Sequence, residues 1–539
     1  METLGLASTF LYYSLGLITT GGLISYVQKL KNKPDKLTST ELKDYKALKK
    51  IVGDDGLKLS KNVRLKNKYD YEGVCMIAPT GAGKTTSLFL NNLLDNVIRG
   101  SYIITDPKGE LFELTSGYQK SVCGRKVYKI DFRDTNYSER YNLLGNCNNS
   151  EEVIQLASDL LMNGALSVEL STGKKVGGME WIQMAEPLLA SVLLYAKGLE
   201  KPFNTIEFAL QLILNLEGWQ LKALIEKSNN IDALTQYNIF MMVGGADKTE
   251  GSIKITLATN MKLFVTQDVN KIGIDTTFNI EKFRKQESIL YIIYPERKSS
   301  YLAPFIAPLF SQLINKLLDN YKENESLPVH LLFDEFGNLG MLSNMKANVA
   351  TVRSRLINMT VCLQSITQLQ QIYGLDVSKT ILNNLKTKIV LAGLSDVDTL
   401  NYISNICGTT EIKTKNVSYS GQKQSESYSK TKKKIFEDGE LRTIESDKGL
   451  LVIGNNMPVL DDMEYYFNTD LNNNIAPVVK YERYKMPVYN IRKEISKTSL
   501  EIDREEEKEI EGSEISKKSM KEIFGDRWWL GRKRIMLSI

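Results

Sequence analysis

Ala78-Pro-Thr-Gly-Ala-Gly-Lys-Thr-Thr86 follows the apolar run Val74-Cys75-Met76-Ile77 and opens a helix-like segment from Thr85 to Ile98. Strand, glycine-rich loop, Lys-Thr and helix in that order form an anion cradle. Small residues (Pro79, Thr80, Gly81, Ala82, Gly83) let backbone N–H groups curl around a phosphate at a helix N-terminus, where the helix dipole adds positive potential. Lys84 is placed to reach the outer phosphates and Thr85 to ligate Mg²⁺ through its hydroxyl, and Thr86 is counted with the nucleotide-binding stretch. The first glycine of the usual G-x-x-x-x-G-K-[ST] pattern is Ala78 here, which the loop should tolerate. A chance glycine-rich turn would imitate only part of this. The stretch predicts a bound nucleoside triphosphate with Mg²⁺.

The rest of the chain bounds where such a site works. At 539 residues it is too long for one compact core. Net charge is +5, which permits nucleic-acid contact without arguing for it. Cys75, Cys123, Cys147, Cys362 and Cys407 are scattered, odd in number and free of C-x-x-C spacing, so a disulfide framework or zinc site is excluded. The single histidine, His330, reads as structural. Leu4 to Val27 carries no charged side chain. As a helix it would span about 36 Å at ~1.5 Å per residue, enough for a hydrocarbon core of ~30 Å. Lys29, Lys31, Lys33 and Lys36 follow at once, which puts the remainder of the chain on the cytoplasmic side. A signal peptide is the rival, but it would need a basic start and a cleavage site.

Beyond a charged linker, strands alternate with helical patterns and predict a parallel α/β sheet. Tyr102-Ile-Ile-Thr-Asp106 ends in Asp-Pro-Lys-Gly-Glu-Leu111, and a further strand covers Lys126 to Phe132. Ligands gather at strand C-termini in such sheets, so Asp106, Lys108 and Glu110 are expected near the nucleotide, unless they only close a turn. From Ser150 to about Gly244 the texture is helical, with Leu/Ala spacing and few strand-like runs. This reads as an all-alpha insertion. The α/β pattern resumes with Ser288–Tyr294, Val329–Glu335, Met359–Gln364 and Lys388–Ala392. Ile412 to Lys434 is polar and lysine-rich, a solvated loop or hairpin with a phosphate-contacting role as its functional reading. The expected division is a membrane anchor at 1–35, nucleotide-binding parts at 36–149 and 246–490, an all-alpha insertion at 150–245, and a charged, disordered tail at 491–539. Trp528 and Trp529 in that tail form either a docking motif or a helix end.

Metal-assisted hydrolysis of a triphosphate needs phosphate neutralisation, a Mg²⁺-holding carboxylate, a group that positions water, and positive charge for the transition state. Lys84 and Thr85 supply the first, and Asp334, ending an apolar strand, is placed to hold Mg²⁺ with Thr85. Glu335 would polarise the water, and Gln364, ending the next strand, would sense the terminal phosphate. A buried strand-end amide is the plain alternative for Gln364. Arg353 and Arg355 are candidate arginine fingers for a neighbouring subunit, or simply surface arginines.

Ala78–Thr85, Thr105-Asp-Pro-Lys-Gly-Glu-Leu111, Leu331-Leu-Phe-Asp-Glu-Phe-Gly-Asn-Leu-Gly340 and Gln364-Ser-Ile-Thr-Gln-Leu369 with Tyr373-Gly374 together resemble the type IV coupling proteins, the TraG/TraD-like ATPases of conjugation and type IV secretion. The resemblance runs from about residue 70 to 470. It implies a RecA-like motor domain interrupted by an all-alpha domain, anchored in the inner membrane and assembled as a homo-hexamer. It also implies a relaxase bound to single-stranded DNA as cargo, and the secretion channel as partner. By position, Lys84, Thr85, Asp334, Glu335 and Gln364 take the family's nucleotide-site roles, and Arg353 is preferred as the finger. One departure stands: many members have two membrane helices, and this sequence shows one. The leading expectation is a membrane-anchored ATPase that recruits relaxase-bound DNA and drives its translocation. The alternatives are a nucleotide-gated docking receptor that does not pump, and an FtsK-like double-strand DNA translocase.

Overall fold

The computed structural model describes residues 48–173, 178–244, 247–420 and 423–512. Its strands are β1 (Val74–Ile77), β2 (Ser101–Asp106), β3 (Lys126–Asp131), β4 (Ser288–Ile293), β5 (Val329–Phe333), β6 (Ile357–Leu363), β7 (Thr387–Leu391), β8 (Thr409–Ser420), β9 (Lys423–Lys434), β10 (Lys448–Ile453) and β11 (Val459–Asp462). They belong to two compact units. Among the described residues, one comprises 48–99, His330–Gly337 and Val349–Ile475; the other comprises Gly100–Val329, Asn338–Asn348 and 476–512.

In the first unit the strand order is β11-β10-β7-β1-β6-β5. β1 lies parallel to β6 and β7, with Cys75 level with Val361 on one side and Lys388 on the other. β10 runs antiparallel to β7, and β11 antiparallel to β10. Every residue of β1, β5, β6 and β7 is buried. That explains their near-continuous apolar runs, since a parallel sheet is covered on both faces. His330, wholly buried in β5, has Nε2 3.1 Å from the Arg99 carbonyl oxygen, a structural role. All five cysteines are free thiols.

The second unit holds the parallel order β2-β4-β3 and a long helical excursion. Its first helix, Ser150–Thr172, starts where the Asn149 side chain accepts from the Glu152 N–H, and stops at Gly173 in the left-handed region. The expected end of the helical run, residue 245, falls short. Helices continue over Asp247–Asn260, Lys262–Val265 and Gln267–Gly273. Their hydrophobic signal is a thin stripe (Ile253, Leu257, Met261, Phe264), all buried, within an otherwise polar stretch. Gly218–Lys227 and Ile231–Gly244 are separate helices, broken where Asn229 turns left-handed and the Asn230 side chain accepts from the Ala233 N–H.

The tail corrects another expectation. Residues 491–512 form a helix instead of a disordered segment. Ile495 and Ile502 lie buried two turns apart, and Gln220 donates to both Ser499 and Asp503. Charge density pointed to disorder, but the charges pair along the helix, as Lys497 does with Glu494 and Glu501. Ahead of it, residues 476–490 run extended along the second unit, held by Tyr481 Oη on the Val127 carbonyl and the Tyr484 N–H on the Asn136 carbonyl. Residues 4–27, the proposed membrane segment, and Trp528-Trp529 lie outside the described residues. No helix among the described residues is long and apolar enough to cross a membrane.

Candidate nucleotide site

All parts of the site except Asp106 fall in the first unit. β1 delivers the loop: the Ala78 N–H donates to the Leu363 carbonyl of β6, so the loop leaves the sheet at its buried C-terminal edge. Gly81 and Gly83 have φ of +82° and +83°, which curl the backbone as a phosphate cradle requires. Thr80 and Gly81 are exposed at the rim. Lys84 is buried, and its Nζ donates back to the Ala78 carbonyl at 3.3 Å, lying across the loop it serves.

The helix after the loop is shorter than the sequence suggests. Thr85–Phe89 is a wide π-helical turn, followed by a single α-turn to Leu93. Thr86 and Ser87 donate their hydroxyls to the Gly83 carbonyl. Buried Asn91 and Asn92 donate to the Ser87 and Leu88 carbonyls and, across the unit, to those of Glu464 and Lys58. Side chains that tap helix carbonyls compete with regular helix, which accounts for the early end.

β5 brings the carboxylates. Thr85 Oγ1 donates to Asp334 Oδ2 at 3.0 Å, joining residues 249 apart in sequence. Mg²⁺ takes near-octahedral oxygens at 2.0–2.1 Å, so two neighbouring ligands sit ~2.9 Å apart. The Thr85–Asp334 pair therefore fits one edge of such an octahedron. No cluster of three or more metal-binding side chains occurs among the described residues. Glu335 follows in the left-handed region, φ +59°, a conformation that costs a non-glycine residue on the order of 1 kcal/mol or more. Its Oε1 accepts from Gln364 Nε2 at 3.2 Å, and Gln364 Oε1 accepts from Gln368 Nε2 at 3.3 Å. Beneath the site, burial pushes the Cys362 thiol well above its usual range, with the nearby Asp334 charge adding to the effect.

The structure thus joins Lys84, Thr85 and Asp334 in one group, and Glu335 with Gln364 in another beside it. Arg353 is elsewhere in the unit. Its guanidinium is mostly exposed and pairs with Glu72 at 2.8 Å, on the rim of a small cleft that Tyr71, Met359 and Leu385 also line. Arg355 is exposed. Asp106 belongs to the second unit and caps its own helix. Its carboxylate accepts from the Gly109 and Phe112 N–H groups, and burial pushes its pKa up to about 6. Three residues that touch the expected site residues escaped the sequence reading. Tyr465 has its ring against Gly83, from an irregular stretch that gave no signal. Glu72, the partner of Arg353, precedes β1 without any motif. Gln368 was within reach, since i and i+4 residues share a helix face.

A glycine-rich loop on a buried parallel strand, with a carboxylate from another strand meeting its threonine, defines the class: a P-loop nucleotide-binding α/β protein. Residues 31–498 match the family described as Type IV secretory system Conjugative DNA transfer. The chain belongs to that family. It is 28% identical over 354 residues to Protein VirD4 of Rhizobium radiobacter, covering 64% of this chain and 49% of the relative. It is 24% identical over 382 residues to the conjugal transfer protein TraG of Escherichia coli, covering 66% and 58%. The chain thus spans about half the length of the curated relatives it matches. Among solved structures, the unbound bacterial conjugative coupling protein TrwBdeltaN70 aligns with TM-score 0.60 at 15% identity, covering 78% of this chain and 92% of that one. Plasmid coupling protein TrwB in complex with ADP and Mg²⁺ aligns with TM-score 0.58 at 14% identity, covering 82% and 94%. These likenesses show the fold.

Proposed function

We propose that this protein is an ATPase coupling protein of a conjugation or type IV secretion system. In this reading it is anchored in the cytoplasmic membrane by residues 4–27 and assembles as a homo-hexamer. It brings relaxase-bound single-stranded DNA to the secretion channel and drives its transfer by hydrolysis. The observation that carries the reading is the Thr85–Asp334 contact of 3.0 Å beside the Glu335–Gln364 contact of 3.2 Å. Family membership and the nucleotide-bound TrwB structure support ATP with Mg²⁺ as the ligands.

Bound Mg²⁺ would supply electrostatic neutralisation of the phosphates. Lys84 adds a buried positive charge at the loop mouth, where low dielectric strengthens it. Thr85 and Asp334 would hold the ion. Glu335 accepts a proton from a water that Gln364 helps to fix, and the Gln368 amide in turn orients Gln364. Arg353 is presented to the site of a neighbouring subunit. The test is ATP turnover of the full chain with and without single-stranded DNA. DNA should stimulate turnover, Lys84→Ala should abolish it, and Glu335→Gln should keep ATP binding while turnover falls at least ~100-fold. Turnover indifferent to DNA would favour the docking receptor, and stimulation by duplex alone the double-strand translocase.

A further inference from the structure

β8 and β9 form their own two-stranded antiparallel ribbon, twelve residues a side. The register sets Glu411 against Lys432, Lys413 against Lys430, Lys415 against Tyr428 and Tyr419 against Gln424, with Thr409 against Lys434 and Val417 against Glu426. Residues in a strand alternate between faces, and directly opposed residues share one. By that register Lys430, Lys432 and Lys434 share a face with Tyr428, and positions 413 and 415 of β8 fall on the same face; Lys430 meets Glu411 at 3.4 Å and Lys434 meets Asp438 at 3.7 Å. The other face carries Lys423 and Lys433 among serines and threonines. The sequence shows the i, i+2 spacing of Lys413 and Lys415 and of Lys430, Lys432 and Lys434, but only the register shows that the two sets share a face.

The sorting works against the ribbon's own stability. Two-stranded hairpins are marginal in water, and like charges set directly opposite, as Lys413 and Lys430 are, destabilise them further. The arrangement becomes favourable once a polyanion lies along it. Lysines on one strand of that face recur every ~7 Å over a ribbon ~40 Å long. Tyr428, 66% exposed, stands among them. Cationic side chains interleaved with aromatic rings are what a single strand needs, phosphates meeting the charges and bases stacking on the rings. A membrane surface fits less well, because the opposite face offers only Ile412 where an interfacial element would need an apolar stripe.

We propose that this face of the β8–β9 ribbon binds the backbone of single-stranded nucleic acid, with Tyr428 as a stacking platform. The proposal rests on the reading that the chain handles DNA, and it names a surface for it. The test is fluorescence anisotropy of a labelled oligothymidylate titrated with the full chain across a KCl series. Replacing Lys413, Lys415, Lys430 and Lys432 by Gln should flatten the slope of log affinity against log salt by about 2.8, at ~0.7 per lost phosphate contact. The same four changed to Arg should keep the slope, which separates charge from misfolding. Lys423→Gln with Lys433→Gln, on the opposite face, should leave it unaltered. Tyr428→Ala should weaken binding about tenfold at fixed salt. An unchanged slope in the Gln variant, or equal flattening by the opposite-face pair, overturns the proposal. So does loss of binding to phosphatidylglycerol vesicles with oligothymidylate binding intact. The two readings fail separately: Lys84→Ala protein should bind the oligonucleotide with the parental slope even though its turnover is gone.

Discussion

Gly83 and Gly81 share nearly the same backbone torsion but differ in surroundings. A Cβ at Gly83 would meet the Tyr465 ring at 2.7 Å, whereas one at Gly81 would meet nothing within 4 Å. Both alanine variants carry the left-handed strain, and only Gly83→Ala must also displace an aromatic ring. We expect Gly83→Ala to weaken nucleotide binding more than Gly81→Ala, measured by calorimetric titration with ATP and Mg²⁺. The motif requires glycine at 83 and leaves 81 open, and the contact from residue 465 adds a physical reason for the difference. A second residue effect concerns Asp70, fully buried, with Oδ1 accepting from the Leu57 N–H at 3.0 Å and Oδ2 without a partner. Burial pushes its pKa from 3.8 up to about 7. The folded chain therefore holds a proton that the unfolded chain releases between pH 4 and 7. Stability should fall as pH rises through that window and level off above it. At ~1.4 kcal/mol per unit the full effect is at most on the order of 4 kcal/mol. Asp70→Asn should remove the dependence, as followed by urea midpoints at pH 5 and pH 8.

At the level of elements, what pattern reasoning reaches depends on whether an element is stabilised locally. β1, β5, β6 and β7 were legible because both faces are buried and their runs are apolar throughout. The helix over 491–512 was not, because only Ile495 and Ile502 are buried among its described side chains and the segment is dense in charge. Its order comes from docking. Ile502→Ala should lower the stability of the full chain by about 2–4 kcal/mol in denaturant melts. Lys497→Ala, on exposed pairs, should cost under ~0.5 kcal/mol. The turn after the P-loop was misjudged for a related reason. Apolar spacing promised a helix to Ile98, while the buried amides of Asn91 and Asn92 bond helix carbonyls and end it at Leu93.

For the molecule as a whole, the site depends on chain path. The chain leaves the first unit at Arg99 and returns at His330, and the return brings Asp334 to Thr85. Arg353 lies on the surface, tied to Glu72. An exposed pair of this kind contributes ~0–1 kcal/mol to stability. Arg353→Ala should therefore leave the melting curve nearly unmoved, while turnover drops ~1,000-fold or more if the residue acts on a neighbour's nucleotide. Specific activity should then rise with protein concentration in the parent chain, and mixing Arg353→Ala with Glu335→Gln subunits should restore some turnover. No restoration would remove the case for a shared site. The sequence by itself determined the loop, the carboxylate strand end and the α/β alternation, because each is written in contiguous residues whose chemistry is local. Only the tertiary structure decided that Thr85 meets Asp334, that Gln364 holds Glu335, that Tyr465 closes on Gly83 and that the lysines of the ribbon share a face. Those facts depend on strand register and on contacts between residues far apart in the chain, which no local pattern encodes.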